Sequence, residues 1–458
     1  MNEALIKSLL TLDNPFNSTD EVIAWIERRN REVEVKVEEV PFKALYGWHF
    51  DDETGNLCHD SGKFFSIVGI DVYKNQGCVE RWQQPIVNQP EVGYLGIIVK
   101  EFDGVLYFLL QAKIEPGNVN CVQLSPTLQA TRSNYTCVHG GRKPAYLDYF
   151  KNARPDQILL DQLQSEQGAR FFRKRNRNII IRVDEDVQAG EDFRWLTLGQ
   201  IKYLAGQDNT VNMDTRTVLS GLRFEWGEGI PEFGKELMLS EGRLDGVGTI
   251  DGVLHRVSEL KSRYELLVDK IPLKDVRGGW RVTETEIARE DRKFFRVIGV
   301  NVTIANREVA RWCQPIVQPM QEGLCVLFAK KIDGVLHFLL QAKVECGNFD
   351  VVEFAPTIQC LTGDYRVDRH EDRPPFVSEF MEGTIPATVI FDTRQSEEGG
   401  RFYHEQNRNM LLMLDENAKL DVPENFIWLT LGQIKQFLRF NNYLNIQVRS
   451  LISMLRYV

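Results

Sequence analysis

The residues best equipped for chemistry lie between Gln111 and Tyr135, in the run QAKIEPGNVNCVQLSPTLQATRSNY. It brings together Lys113, Glu115, Asn118, Asn120, Gln123, Ser125, Thr127, Gln129, Arg132, Asn134 and Tyr135. A surface hairpin would alternate apolar residues with Lys and Glu. Amides, hydroxyls and one arginine instead suit oriented hydrogen bonds to a polar ligand. One such run also fits a solvated loop. This one is written twice: it returns from Gln341 to Tyr365, with Lys343, Glu345, Thr357, Gln359 and Tyr365 in the matching places. The repetition favours a ligand site.

The elements that must position these residues are repeated too. Arg81-Trp82 recurs as Arg311-Trp312 and Pro126-Thr127 as Pro356-Thr357, both at an offset of 230. Lys100–Lys113 and Lys330–Lys343 share 11 of 14 residues. Ser165-Glu166 with Arg170-Phe171 returns as Ser396-Glu397 with Arg401-Phe402, and WLTLGQIK is identical at Trp195 and Trp428. Register kept over such a length means a tandem duplication of a whole domain, not a solenoid. The division is 1–205 for the first repeat, 206–248 for a glycine-rich irregular connector, and 249–458 for the second repeat.

Within a repeat, Ser18 to Glu21 has capping-box spacing, and Val22, Trp25 and Ile26 form the stripe of a helix. Val33, Val35 and Val37 alternate as a strand, and KFFSIVGIDV (63–72) reads as another. Tyr94–Val99 and Val105–Ala112 flank an Asp-Gly turn as a hairpin. The spacing of Ile158, Leu159, Leu163 and Phe171 predicts a helix over 158–172, followed by a basic turn from Arg173 to Asn178. A short strand over 179–183 and a helix capped by Thr197 close the repeat. Hairpins outnumber βαβ units, so the fold class is α+β.

Bulk properties narrow the function. The 458 residues exceed one core, and 43% hydrophobic with 26% charged residues is globular. A net charge of −10 argues against a nucleic-acid binder. The eight cysteines form no C-x-x-C pair, and no apolar stretch is long enough for a membrane span. The opening MNEALIKSLLTLDNPF lacks a signal-peptide core, which makes the cytoplasm the expected setting.

The QAK-x-E-x-G-N…PT-x-Q segments, the SE-x-G-x-RF motif with N-R-N, and WLTLGQIK resemble the NDP-hexose 2,3-dehydratases of deoxysugar biosynthesis over nearly the whole chain. The resemblance implies two tandem Nudix-like domains, assembly as a homodimer, a dTDP-linked 4-keto-6-deoxyhexose as ligand, and no cofactor. The run Asp161–Gly168 keeps only Glu166 of the paired glutamates of a Nudix hydrolase, and the second copy has Arg394 to Gly399. One carboxylate per site is too few for a well-held Mg²⁺, so no metal is expected. The helix then reads as a former metal-binding element reused to place a nucleotide sugar.

The implied reaction is loss of water across C2 and C3 of dTDP-4-keto-6-deoxy-D-glucose. It needs a base for the C3 proton, an acid for the C2 hydroxyl and donors for the enolate oxygen. Glu115, Glu345 and His139 are the candidate bases, and Tyr135 or its counterpart Tyr365 is the acid or enolate donor. Arg132 and Asn134 could hold diphosphate or enolate, while Arg170 and Arg401 suit phosphate oxygens. Trp48 and Trp280, or Trp82 and Trp312, could stack on the base. Lys113, Gln123, Ser125, Thr127 and Gln129, with Lys343, Thr357 and Gln359 in the second copy, complete the expected binding set. The first copy is favoured for chemistry because Arg132, Asn134 and His139 concentrate there. A non-catalytic nucleotide-sugar binder and a Mg²⁺-dependent nucleotide-sugar hydrolase are the alternatives.

Overall fold

The computed structural model describes residues 2–136, 143–306, 309–362 and 373–458. Each half contains a seven-stranded mixed sheet and supports a five-stranded sheet, with short helices packed around them. In the first large sheet Ile158–Ser165, Arg175–Arg182, Gly93–Phe102, Val105–Ile114 and Phe193–Thr197 follow in spatial order, with Val122–Ser125 and Leu128–Ala130 paired beside the hairpin. All contacts are antiparallel except that between Arg175–Arg182 and Gly93–Phe102. The second half repeats this arrangement. The mixed α+β class and the hairpin over 93–114 agree with the sequence. So do both capping boxes, in which Ser18 and Thr197 accept from Glu21 N and Gln200 N.

The smaller sheets exchange strands. Val35–Val40 of the first half pairs antiparallel with Phe295–Ile304 of the second, and Leu266–Ile271 pairs with Ser66–Lys74. This reciprocal crossing sets Trp48 and Phe65 against the second-half strand Arg311–Pro319, where Trp48 Nε1 donates to the Cys313 carbonyl at 2.8 Å. Two backbone contacts close the seam between the large sheets: Gly117 N donates to Gly399 O at 2.8 Å, and Gly347 N to Gly168 O at 2.6 Å.

Three expectations are corrected. Residues 158–165 form a strand, and 166–172 turn away from it, so there is no helix. The apolar spacing misled because Gln164 is buried as well as Leu160: its amide donates to Leu438 O at 2.8 Å across the seam. Tertiary hydrogen bonding overrides local periodicity here. The basic stretch is likewise no solvated turn, since Arg175–Arg182 is a strand and Lys174 is buried against the Glu91 carbonyl and Asn176 Oδ1. The connector is not irregular: it contains the helices Met213–Leu219 and Glu232–Glu241, the first entirely buried.

The guanidinium of Arg216 on the first of these helices reaches Ser396 O at 2.6 Å and Ser450 Oγ. Its counterpart Arg449 reaches Gln164 Oε1 at 2.9 Å and Ser165 O. Beside them, Ser165 Oγ donates to Glu353 Oε2 at 2.6 Å, as Ser396 Oγ donates to Gln123 Oε1 at 2.7 Å. Burial pushes the Glu353 carboxyl up to about 7. A carboxyl that holds its proton more tightly when folded contributes stability below its unfolded value of about 4.3, and that contribution fades as pH rises through about 7. Replacing Glu353 with Gln, the residue of the other half, is expected to flatten part of that decline. Denaturation midpoints at about pH 5 and about pH 8 should differ less in the variant, with Glu166 and Glu405, also raised to about 7 by burial, accounting for the remainder.

Candidate functional site

A cavity of about 230 Å³ lies on the seam beside the first copy of the polar run. Trp48, His59 and Phe65 form one wall, Tyr94 and Asn176 another, and Lys113, Glu115, Gln129 and Asn134 the floor. The second half supplies Trp312, Cys313, Gln314, Glu398, Gly400 and Arg401, and the buried helix of the connector supplies Asp214. Both halves are therefore needed to build it.

Glu115 is fixed at the centre of a relay. Gln129 Nε2 donates to its Oε1 at 3.1 Å, and the Lys113 ammonium lies 4.0 Å away. Gln129 is held in turn by Asn212, whose amide donates to Gln129 Oε1 at 3.2 Å and to Ser125 Oγ at 2.9 Å. Asn212 Oδ1 caps the helix by accepting from Thr215 N at 2.8 Å. A cap thus sets a side chain two steps away. The other seam repeats the relay: Asn445 donates to Gln359 at 2.7 Å and Gln359 to Glu345 at 3.0 Å.

The charges around the cavity are unusual. Asp214 is 2% exposed and its Oδ1 has no hydrogen-bond partner among the described residues. Burial, followed by the nearby Glu398, Glu166 and Glu115 carboxyls, holds it well above the ordinary carboxylate range. Glu398 is also raised, first by burial. A Cβ built on Gly400 would lie 3.2 Å from Glu115 Oε1 and 3.3 Å from Glu398 Oε1, so these oxygens flank the same small gap. The Arg401 guanidinium sits 4.1 Å over the Phe65 ring and donates to Gln89 Oε1 at 3.2 Å. The expectation of one carboxylate per site fails here, because three line one cavity. Among the described residues, no group of three or more His, Cys, Asp or Glu side chains is arranged to hold a metal ion.

Of the residues singled out in the sequence, Trp48, Lys113, Glu115, Gln129, Asn134 and Arg401 come together around this cavity, joined by Trp312. Gln123, Ser125 and Thr127 do not line it. Their polar atoms are spent on Ser396, Asn212, and the Ile98 and Leu109 backbone. Thr357 is spent in the same way on Phe328 N and Leu339 O. Arg132 is exposed on a short helix outside the cavity lining. Tyr135 stands one layer back, against Tyr94 at 5.6 Å, with its hydroxyl raised by burial. His139 and Tyr365 lie outside the described residues.

Arg170 belongs to the other seam, 4.5 Å over Phe295, which also packs on Trp280. Lys343 and Glu345 lie there, with Lys343 donating to Gln359 O at 2.7 Å. Each arginine of the SE-x-G-x-RF motif therefore rests on a phenylalanine of the opposite repeat.

The family model of the NDP-hexose 2,3-dehydratases matches residues 19–222 and again 251–455. The chain belongs to this family. A relative from Saccharopolyspora spinosa, named dTDP-4-dehydro-6-deoxy-alpha-D-glucopyranose 2,3-dehydratase, is 45% identical over 98% of this chain and 94% of its own length. Relatives of the same name from Amycolatopsis orientalis and Streptomyces violaceoruber are 42% and 40% identical, over 97% and 94% of this chain and 92% and 96% of theirs. As in the family model, the duplication spans almost everything that builds the cavity.

For this NDP-hexose 2,3-dehydratase family member, sequence reasoning missed Asp214 and Glu398. Laying the copies over one another would have shown both, since Asp214 faces Gln447 and Glu398 faces Gln167 in the alignment. Replacing Asn212 with Ala removes a cap and the anchor of Gln129. It is expected to cost about 2 kcal/mol, measured as a lowered urea midpoint at unchanged slope.

Proposed function

We propose that the chain is a sugar-nucleotide 2,3-dehydratase, a hydro-lyase that converts dTDP-4-keto-6-deoxy-D-glucose to the 3,4-diketo-2,6-dideoxy sugar in deoxysugar biosynthesis. The observation that carries this is the 40–45% identity, over nearly the full length, to proteins named for that substrate and reaction. The C4 ketone acidifies the C3 proton. Its removal gives an enolate, hydroxide leaves C2 with a proton as water, and the resulting enol tautomerises to the diketone.

The cavity has the groups this needs. Arg401 and Lys113 suit the diphosphate and the enolate oxygen, as preorganised cations shielded from water do. Asn134 adds a donor, and Trp48 or Trp312 offers a face for the thymine. Glu115 meets the sugar, and chemistry belongs to this first cavity. The second seam, with Glu345, Lys343, Gln359, Arg170 and Trp280, binds nucleotide sugar without dehydrating it. The same reading takes 1–205 and 249–458 as Nudix-like repeats joined by 206–248. It also takes the enzyme as a cytoplasmic homodimer, both on the strength of the family resemblance. Among the described residues no helix is long and apolar enough to cross a membrane.

Incubation with the 4-keto sugar nucleotide is expected to yield a product lighter by one water, detected by mass. Replacing Glu115 with Gln should lower kcat/KM at least ~10-fold, whereas Glu345→Gln should leave it within ~3-fold. An unchanged sugar, or release of nucleoside monophosphate on adding Mg²⁺, would overturn the assignment.

A further inference from the structure

The two seams share one scaffold and differ in their carboxyl groups. Each has the Asn–Gln–Glu relay, a lysine two residues before the glutamate, and an arginine from the opposite half resting on a phenylalanine. Superimposing the repeats sets Glu398 of the first cavity on Gln167 of the other seam, and Asp214 on Gln447. In both pairs an ionisable carboxyl stands opposite an amide, which has the same hydrogen-bonding reach but gives up no proton at neutral pH. The Glu115–Gln129–Lys113 core has no such asymmetry. It is common to both seams, which marks it as binding scaffold.

We propose that Glu398 is the base that removes the C3 proton and Asp214 the acid that protonates the departing C2 oxygen, while Glu115 orients the sugar as a hydrogen-bond acceptor. This assignment rests on the dehydratase reading and specifies its proton transfers. Three observations of geometry carry it. Glu398 and Asp214 enter one cavity from different elements, the first from the second half's SE-x-G turn and the second from the connector helix. Asp214 is buried and its Oδ1 has no partner among the described residues, so a hydroxyl leaving group would meet an available carboxyl. The Glu115 carboxylate, by contrast, already accepts from Gln129 and stands beside Lys113.

Charge sorts the two roles. Burial, with the three carboxyls Glu398, Glu166 and Glu115, outweighs the cations Lys113 and Arg216 and keeps Asp214 as the neutral acid. Burial raises Glu398 too, but Arg401, Lys174 and Lys113, with Glu115 opposing, pull it back, so its position favours the carboxylate more than that of Asp214 does. The sequence then balances. Glu398 takes H⁺ from C3, and the C–H electron pair forms the C3=C4 enolate. That pair moves to C2=C3 as the C2–O bond breaks, Asp214 gives H⁺ to the leaving oxygen, and water departs. Tautomerisation moves the O3 proton to C2, giving two ketones with no oxidant consumed.

The test follows substrate and product in D₂O with wild type, Glu398→Gln, Asp214→Asn and Glu115→Gln, each checked by calorimetry for dTDP binding. Glu398→Gln is expected to lose dehydration by ~10²-fold or more and to leave C3 of recovered substrate undeuterated. Asp214→Asn should lose dehydration to a similar degree yet place deuterium at C3, because deprotonation continues while departure fails. Glu115→Gln should weaken turnover but keep C3 exchange. Binding of dTDP should stay within ~3-fold of wild type in Glu398→Gln and Asp214→Asn. The assignment is overturned if Glu398→Gln exchanges C3 at the wild-type rate, or if Asp214→Asn dehydrates at more than ~30% of it. Loss of dTDP binding in either variant also overturns it, because the residue would then be holding the cavity together. If wild type itself leaves the sugar unchanged, the dehydratase reading fails first, and the two failures are told apart.

Discussion

Two hydrogen bonds between glycine backbones hold the halves in the register that closes the cavity: Gly117 to Gly399 and Gly347 to Gly168. Neither contact has room for a side chain. A Cβ on Gly117 would lie 1.7 Å from the Phe402 carbonyl oxygen, and one on Gly347 1.8 Å from that of Phe171, so the chains meet at backbone distance. Glu115 precedes Gly117 by two residues and Glu398 immediately precedes Gly399. Once the glycines are joined, carboxylates from opposite halves must face one another. A surface loop would let them relax apart. Here Phe171 and Phe402 pack edge to face at 5.6 Å directly behind the turns and exclude water from the joint.

Neither half can satisfy its own polar interior, and this makes the seam binding. Arg216 and Arg449 are essentially unexposed, and each places part of its guanidinium against backbone carbonyl or side-chain oxygen of the other half. A buried guanidinium left without acceptors costs several kcal/mol. The exchanged strands Val35–Val40 and Leu266–Ile271 add backbone ladders that a separated half would leave open. The duplication has therefore produced one interlocked body, and the cavity exists only in it.

Much of this was legible in the sequence. The duplicated registers, the capping boxes, the Asp-Gly hairpin and the polar run around Glu115 follow from local rules that tertiary structure did not override. What failed had a common cause. The strand Ile158–Ser165 looked helical because two of its three buried residues are an amide and a hydroxyl, Gln164 and Ser165, bonded across the seam rather than packed. The connector looked irregular because glycines surround Met213–Leu219, and nothing local shows that this helix is capped by Asn212 and walled in by both halves. The strand exchange has no sequence signal, since Val35–Val40 alternates equally well for either sheet. Arg401 was read with the second repeat for the same reason: sequence proximity is not proximity across an exchanged interface.

Buried charge diverges between the repeats at several positions, and the contrast between two of them shows how to interpret each. Lys202 and Lys435 are equivalent residues of the two WLTLGQIK helices, both buried. Lys435 has Glu241 at 2.9 Å, and Glu241 also accepts from Tyr457 Oη at 2.9 Å and Phe224 N at 2.7 Å. Lys202 instead donates to the Ser453 carbonyl, with burial lowering its ammonium to about 7. Each of those carboxylate and ammonium groups meets protein partners, so the asymmetry there is a packing solution. At the cavity the added carboxyls do the opposite. Among the described residues Asp214 Oδ1 has no hydrogen-bond partner, and both Asp214 and Glu398 line the cavity. Burying an acid that the protein leaves unsatisfied is costly unless a ligand completes it. The duplicated seam holds the amides Gln447 and Gln167 in the same places, so the fold does not require a carboxyl at either position. The carboxyls of the first cavity are the groups that the proposed dehydration would use.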